Sequence, residues 1–152
     1  MTEPRKKHSL NLLLGILLAA TLCFIWGNSC LSRAESSQLS GGLLAWLRPA
    51  LEALGLGWVN DHIIRKLAHF GEFALLGCEL AALLFLNRGR TRKIFLSAEL
   101  CAVVVAVIDE TIQFFSARAP MVRDVLLDAA GALAGIALVW LLTRRKSIVR
   151  AD

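Results

Sequence analysis

Ionisable side chains recur at helical spacing in three stretches of the sequence that are otherwise apolar. Intervals of three or four residues place side chains on one face of a helix. The first series, at intervals of four, four and three, comprises Asp61, Arg65, His69 and Glu72. The second contains Glu99, Glu110 and Gln113, with Asp109 beside them, and the third runs through Asp124, Asp128, Gly131 and Gly135. The sequence therefore predicts three helices, each with one polar face.

These residue types suit two kinds of chemistry. Imidazole and carboxylate groups transfer protons or assist a bound metal, which makes His69, Glu110 and Asp128 the candidate catalytic residues. The spacing matches no established metal-site, nucleophile or nucleotide-binding motif, so no metal ligand and no cofactor is assigned. Arginine binds a carboxylate or phosphate through two parallel hydrogen bonds. An anionic group is therefore the ligand that suits the nearby Arg65, Arg118 and Arg123.

The composition indicates the surroundings in which these faces must work. The 152 residues are 57% hydrophobic and only 19% charged, with a mean hydropathy of +0.62. A water-soluble domain of this size lacks the polar surface to cover so much apolar side chain, and disordered or fibrous chains need polar or repetitive compositions. The solvent is therefore predicted to be a lipid bilayer. An ionisable residue at the centre of a bilayer costs at least about 2.5–3.5 kcal/mol, so the polar faces point to function.

The net charge of +5 does not indicate nucleic-acid binding. Most of the basic residues fall in three clusters, at 5–7, 88–93 and 144–150, and each cluster flanks an apolar segment. This is where cytoplasmic charge lies in membrane proteins, whereas a nucleic-acid surface carries a continuous basic face. The clusters predict that both termini and the 87–93 turn are cytoplasmic, which requires an even number of membrane spans.

The apolar segments predict an all-α polytopic membrane protein with four spans in a single domain, 1–152. The first segment could also be a signal peptide, but no typical cleavage site follows it, so a retained span is favoured. Residues 32–42 are polar and end in glycine, which predicts a loop. The short segment after them, with Pro49 inside it, cannot span and is predicted to lie on the outer interface. The predicted spans are about 9–27, 63–86, 94–115 and 123–142, and the interfacial helix is about 43–54.

This topology brings the polar residues together. The start of the second span, the end of the third and the start of the fourth all lie at the outer side of the membrane. We therefore expect one outward-opening pocket for a ligand. Its predicted binding residues are Arg65, His69, Glu72, Asp109, Glu110, Gln113, Arg118, Arg123, Asp124 and Asp128.

Each feature also has a purely structural interpretation. Gly131 and Gly135 are typical of a helix-packing face, and Asp124 could cap its helix. Arg65 and Lys66 could extend to the interface. The mixture of acids and arginines could also be a neutralised salt-bridge network without any chemistry.

The polar motifs resemble those of VanZ-like membrane proteins. Residues 64–77, IRKLAHFGEFALLG, are similar to the R-K-x-x-H-F-x-E-[YF] helix of that family. Asp109-Glu110-x-x-Gln113-x-Phe115, followed by Arg118, Asp124-Val125 and Asp128, is similar to its second block. The resemblance covers about residues 24–140. It departs from the family before Asp124, where Ser116-Ala117-Arg118 stands in place of the common P-G-R.

The resemblance implies a multi-pass protein of the bacterial cell membrane. The family is named after a member that confers low-level resistance to the glycopeptide teicoplanin, which links the chain to antibiotic resistance but to no settled reaction. The function expected first is binding of an anionic lipid-linked or peptidoglycan-related group of the cell envelope. The alternatives are an intramembrane enzyme, metal- or acid/base-assisted, and a structural partner subunit. The sequence leaves the oligomeric state open.

Overall fold

The part of the chain that the structure describes forms a bundle of five α-helices. The computed structural model describes the backbone of residues 3–116 and 121–148 and the side chains of residues 5–116 and 121–143. Within these residues no strand is present, which confirms the predicted all-α class. The helices are α1 (Glu3–Ser29), α2 (Arg33–Ala53), α3 (Asp61–Arg88), α4 (Arg92–Phe115) and α5 (Val122–Ile148).

Helix α3 lies at the centre, and its most extensive contact is with α5. Small residues allow the two backbones to approach closely. A Cβ atom at Gly131 would overlap the carbonyl of Phe70, and a Cβ at Gly135 would overlap the carbonyl of Ala74. On α3 itself, Gly77 meets the backbone of Ala132 in the same way. Both glycines of the predicted packing face therefore lie in the α3–α5 contact.

The remaining helices pack around this pair. Helices α1 and α4 both contact α3, and α4 also contacts α5. Their shared core contains Ile25 from α1, Phe73 and Leu76 from α3, and Ala102 and Ala106 from α4. The apolar face of α2 covers the start of α3, where Leu44 packs with Val59 and Ile64. This packing fixes the direction in which the predicted polar face of each helix points.

Helix α2 corrects the prediction for the first long connection. The sequence predicted a loop up to residue 42 and a helix only over 43–54, but the helix begins at Arg33. Ser32 and Glu35 form a capping box in which each side chain bonds the backbone N–H of the other, and this arrangement stabilises a helix start. Ser32 donates its hydroxyl and its backbone N–H to the Glu35 carboxylate, and these two hydrogen bonds hold the pKa of Glu35 below its ordinary value. The Ser-x-x-Glu signal outweighs the weak helix propensity of the serines and glycines that follow.

Among the described residues, three helices are long and apolar enough to cross a membrane, rather than the four predicted. They are α1 over Arg5–Ser29, α3 over Asp61–Arg88 and α5 over Val122–Thr143. Helix α4 is not among them, because Glu99, Asp109 and Glu110 interrupt its apolar sequence. Helices α1, α3, α4 and α5 each extend beyond the bounds of the corresponding predicted span, into the polar residues that flank the apolar segment.

Candidate functional site

A polar cavity of about 220 Å³ lies where the start of α3, the end of α4 and the start of α5 meet. We call it the polar pocket. It is formed at this place because the three amphipathic helices turn their polar faces towards one another there. Its lining residues are Arg33, His62, Arg65, Lys66, His69, Glu110, Gln113, Met121, Asp124, Leu127 and Asp128.

The structure brings most of the predicted binding residues to this cavity. Six line it: Arg65, His69, Glu110, Gln113, Asp124 and Asp128. Glu72 and Asp109 lie next to the cavity. Glu72 accepts a hydrogen bond from Asn28, and Asp109 accepts one from Gln113, which lines the cavity. Arg123 is exposed and does not line the cavity, and Arg118 lies outside the described residues.

Positive and negative groups occupy different depths of the polar pocket. Arg33 and His62 are exposed, and Arg65 is half-buried. Glu110, Gln113 and Asp128, by contrast, are buried. The cavity thus has a basic rim and an acidic floor, so a ligand meets the cations first.

Two contacts organise the rim. The Nζ of Lys66 forms an ion pair with Oδ1 of Asp124, which joins α3 to α5. A ring nitrogen of His62 lies 3.2 Å from a guanidinium nitrogen of Arg65, one turn along α3. Because Asp124 neutralises Lys66, the arginines are the cations best placed to meet an anion.

Asp109 is the most firmly held carboxylate of the floor. It is fully buried. Ser29 donates its hydroxyl to Oδ1 over 2.5 Å, and Gln113 donates its amide to Oδ2 over 2.8 Å. The bond from Ser29 ties the end of α1 to the end of α4, and the bond from Gln113 lies within α4. Since both oxygens accept a hydrogen bond, the orientation of the carboxylate is fixed.

Asp128 and Glu110 are less completely bonded. Asp128 is only 1% exposed, and its Oδ1 has no hydrogen-bond partner among the described residues. Glu110 accepts a bond from the backbone N–H of Met121 over 3.0 Å, which positions the start of α5, but its Oε1 has no partner in the same part of the chain. Buried polar atoms without partners are costly, so these two oxygens are the atoms of the floor at which a bound group would gain most.

His69 lies between two sets of carboxylates. Its Nδ1 is 3.9 Å from Oε2 of Glu72, whose other oxygen accepts a hydrogen bond from the amide of Asn28 over 3.0 Å. One ligand-type atom each from His69, Asp109 and Asp128 forms a group within which all separations are at most 4.8 Å. An imidazole among carboxylates can transfer a proton or take part in metal binding.

Several residues of the site were missed by the sequence interpretation. Arg33 was assigned to a loop, and Lys66 was treated as an interfacial charge. Asn28 and Ser29, which bond Glu72 and Asp109, were not predicted as site residues. The sequence offered one signal for Asn28 and Ser29. Both are polar residues that follow the long apolar run of α1, at the end of the bundle where the polar faces of the other helices meet.

A second set of polar groups lies away from the cavity. Glu79 accepts a hydrogen bond from the hydroxyl of Thr21 over 3.0 Å, which links α3 to α1. Glu79 does not line the polar pocket. It is therefore a buried carboxylate outside the pocket that, like Glu110, has one bonded oxygen and one without a hydrogen-bond partner among the described residues.

Comparison with known proteins identifies the family. No curated protein sequence and no solved structure matches the chain. The three membrane-capable helices agree with a multi-pass membrane protein. The match to the family extends over residues 10–143, most of the sequence, and the chain therefore belongs to the VanZ/LLP1 family.

Proposed function

We propose that the polar pocket binds an anionic, phosphate-type group of a lipid-linked or peptidoglycan-related cell-envelope molecule. The observation that carries this proposal is the basic rim, in which Arg33 from α2 and Arg65 from α3 line one cavity. Two guanidinium groups on different helices can grip one phosphate from two sides. The acidic floor limits how deeply such an anion enters, so the ligand sits at the rim.

An apolar groove beside the pocket favours a lipid-linked ligand. Phe114 and Phe115 at the end of α4 and Val122 and Val125 on α5 line this groove. Met121 borders both the groove and the polar pocket. A ligand with a charged head and an apolar tail would place the head at the arginines and the tail along the groove.

The proposal includes a position in the cell membrane. We propose that α4 is a fourth span and that the pocket opens to the outside, with both termini in the cytoplasm. The basic clusters support this orientation. The burial of Asp109 and Glu110 against neighbouring helices supports the crossing, since intramembrane carboxylates face the bundle interior.

A second candidate function is an intramembrane enzyme that acts on the same ligand. The observation that favours it is the grouping of His69 with Asp109 and Asp128. In such an enzyme His69 would act as acid/base or metal ligand, with Glu110 or Asp128 assisting. The structural-subunit alternative has less support, because α3 already covers Gly131 and Gly135.

The test is retention of a polyprenyl phosphate by the purified protein in nanodiscs of neutral lipid, measured by native mass spectrometry. Uncharged polyprenol serves as the comparison ligand. We expect Arg65→Ala and Arg33→Ala each to weaken retention at least about tenfold, the loss of one charge-assisted hydrogen bond or more. Arg88→Ala, at the opposite end of α3 and outside the polar pocket, is the matched control.

The outcomes separate the two candidates. Equal retention of the phosphate and the alcohol, or equal retention by the Arg65 and Arg88 variants, would refute anion binding at the rim. Release of inorganic phosphate or a shortened product during incubation, lost in His69→Ala, would favour the enzyme.

A further inference from the structure

We propose that His69, Asp109 and Asp128 together bind one divalent transition-metal ion, of the Zn²⁺ or Mn²⁺ class, at the floor of the polar pocket. The inference goes beyond the anion binding proposed for the rim, because it concerns different residues and a ligand of opposite charge. Three helices supply the site: His69 lies on α3, Asp109 on α4 and Asp128 on α5.

The separations between the three residues fit a single ion. Their ligand-type atoms lie within 4.8 Å of one another. Zinc binds nitrogen and oxygen ligands at about 2.0–2.2 Å with tetrahedral geometry, so two ligands of one ion lie about 3.3–3.6 Å apart. Side-chain movements that together amount to about 1.5 Å therefore bring the widest allowed separation into range. Side chains can rotate by that amount without any change in the helices.

The ligand types indicate which metals fit. One imidazole nitrogen with two carboxylate oxygens suits Zn²⁺ or Mn²⁺, whereas Mg²⁺ and Ca²⁺ prefer oxygen ligands alone. His69 and Asp128 also line the cavity. A bound ion would therefore face the pocket and keep a coordination position open for water or for the anion at the rim.

An independent observation supports a cation at this place. Asp128 is 1% exposed, lines the cavity, and has an Oδ1 atom without a hydrogen-bond partner among the described residues. A buried carboxylate oxygen without a partner is costly. Lys66, a cation that lines the same pocket, is already paired with Asp124. A metal ion beside His69 would supply the positive charge that Asp128 needs.

The surroundings of Asp109 are those of an oriented ligand. Ser29 and Gln113 donate hydrogen bonds to its two oxygens, from α1 and from the next turn of α4. Carboxylates that ligate metals are commonly held in this way, and loss of such a supporting bond costs about 10–100-fold in metal affinity. Oxygens bonded by Ser29 and Gln113 keep a second lone pair for the metal.

The experiment measures metal binding by the full-length protein in detergent, with any affinity tag removed and the metal stripped by a chelator. Mn²⁺ binding is followed by electron paramagnetic resonance and Zn²⁺ binding by calorimetry. We expect one ion per chain, and at least about a hundredfold weaker binding by Asp128→Asn, which loses a ligand charge but keeps its shape. Glu79→Gln, which alters a buried carboxylate away from the pocket, should bind like the unchanged protein.

A second variant tests the metal site even if Asp128→Asn does not fold stably. If Asp128→Asn has a lowered melting temperature, Gln113→Ala should still reduce the affinity about 10–100-fold without removing a ligand. A nitrogen coupling to bound Mn²⁺ that disappears in His69→Gln would identify the imidazole as a ligand. Absence of stoichiometric binding, or equal affinity in Asp128→Asn, Gln113→Ala and Glu79→Gln, would overturn the proposal.

The experiments can refute the anion binding proposed for the rim without refuting the metal site, and the reverse. Arg65→Ala should lose the polyprenyl phosphate and keep the metal, because Arg65 is not in the metal site. Metal binding without phosphate retention would refute only the function proposed for the rim. Phosphate retention by metal-stripped protein that never rebinds an ion would refute only the metal site.

Discussion

At the scale of single residues, the floor of the polar pocket depends on contacts between distant parts of the sequence. Ser29 and Asp109 are 80 positions apart and both are fully buried. A hydrogen bond to a charged, buried acceptor contributes more than one at the surface. By contrast, Lys66 and Asp124 are 36% and 31% exposed, so their ion pair should add no more than about 1 kcal/mol.

We expect Ser29→Ala to lower the free energy of unfolding by about 1–3 kcal/mol, because Asp109 would keep its burial and lose a donor. The measurement is thermal unfolding in detergent. Ser9→Ala is the control, since the Ser9 hydroxyl is exposed and bonds only a backbone carbonyl of its own helix, that of Arg5. Equal melting temperatures for the two variants would show that the buried bond adds nothing to stability.

At the scale of elements, the α3–α5 contact decides the position of the site. His69 on α3 and Asp128 on α5 meet only because the backbones of these helices approach at glycine and alanine. This closeness also restricts substitution. The atoms that a new Cβ would meet at Gly135 belong to the backbone of Ala74 and Cys78, which cannot rotate away.

We expect Gly135→Ala to destabilise the protein by about 1–3 kcal/mol or more through overpacking. Gly71→Ala is a sharp control, because Gly71 lies in α3 with nothing within 4 Å of an added Cβ. In a free helix alanine is favoured over glycine by about 1 kcal/mol, so Gly71→Ala should be neutral or stabilising. Melting temperatures that move in the same direction for both variants would contradict the close approach of α3 and α5.

At the scale of the whole molecule, the number of membrane crossings depends on α4. Its ionisable residues set it apart from the three helices that are clearly apolar enough to span. Within the bundle, however, Asp109 and Glu110 are buried and not directed to lipid. Packing against α1, α3 and α5 could therefore offset the cost of carrying these carboxylates across a bilayer.

We expect topology reporters fused after Ser40 and Ser116 to be external, and reporters fused after Arg92 to be cytoplasmic. The basic cluster around Arg92 would hold that turn on the inner side. Paired reporters that are active only on one side, such as alkaline phosphatase and a fluorescent protein, distinguish the positions. A cytoplasmic signal at Ser116 would mean that α4 does not cross, and a cytoplasmic signal at Ser40 would reverse the orientation.

Much of this architecture could be predicted from the sequence, because helical periodicity and apolar composition are local properties. They predicted the all-α class and the helices α1, α3, α4 and α5, although they counted four membrane spans where the described residues contain three helices that are apolar enough to cross. They also led to the hypothesis that Arg65, His69 and Asp128 share one site, and all three line the polar pocket. The capping box at Ser32 was equally local and would have corrected the start of α2. Motif similarity to the family covered the same residues, since those motifs lie on the polar faces.

Only the tertiary structure decided how those faces meet. Asp109 and Glu110 are neighbours in sequence, yet Asp109 groups with His69 and Asp128, while Glu110 bonds the backbone of Met121. Periodicity fixes the face of a helix but not its rotation against neighbouring helices. That rotation follows from close packing at Gly77, Gly131 and Gly135 and from bonds between distant residues such as Ser29 and Asp109. These are non-local contacts. The local pattern marks Gly131 and Gly135 as a packing face, but it does not say which helix packs there.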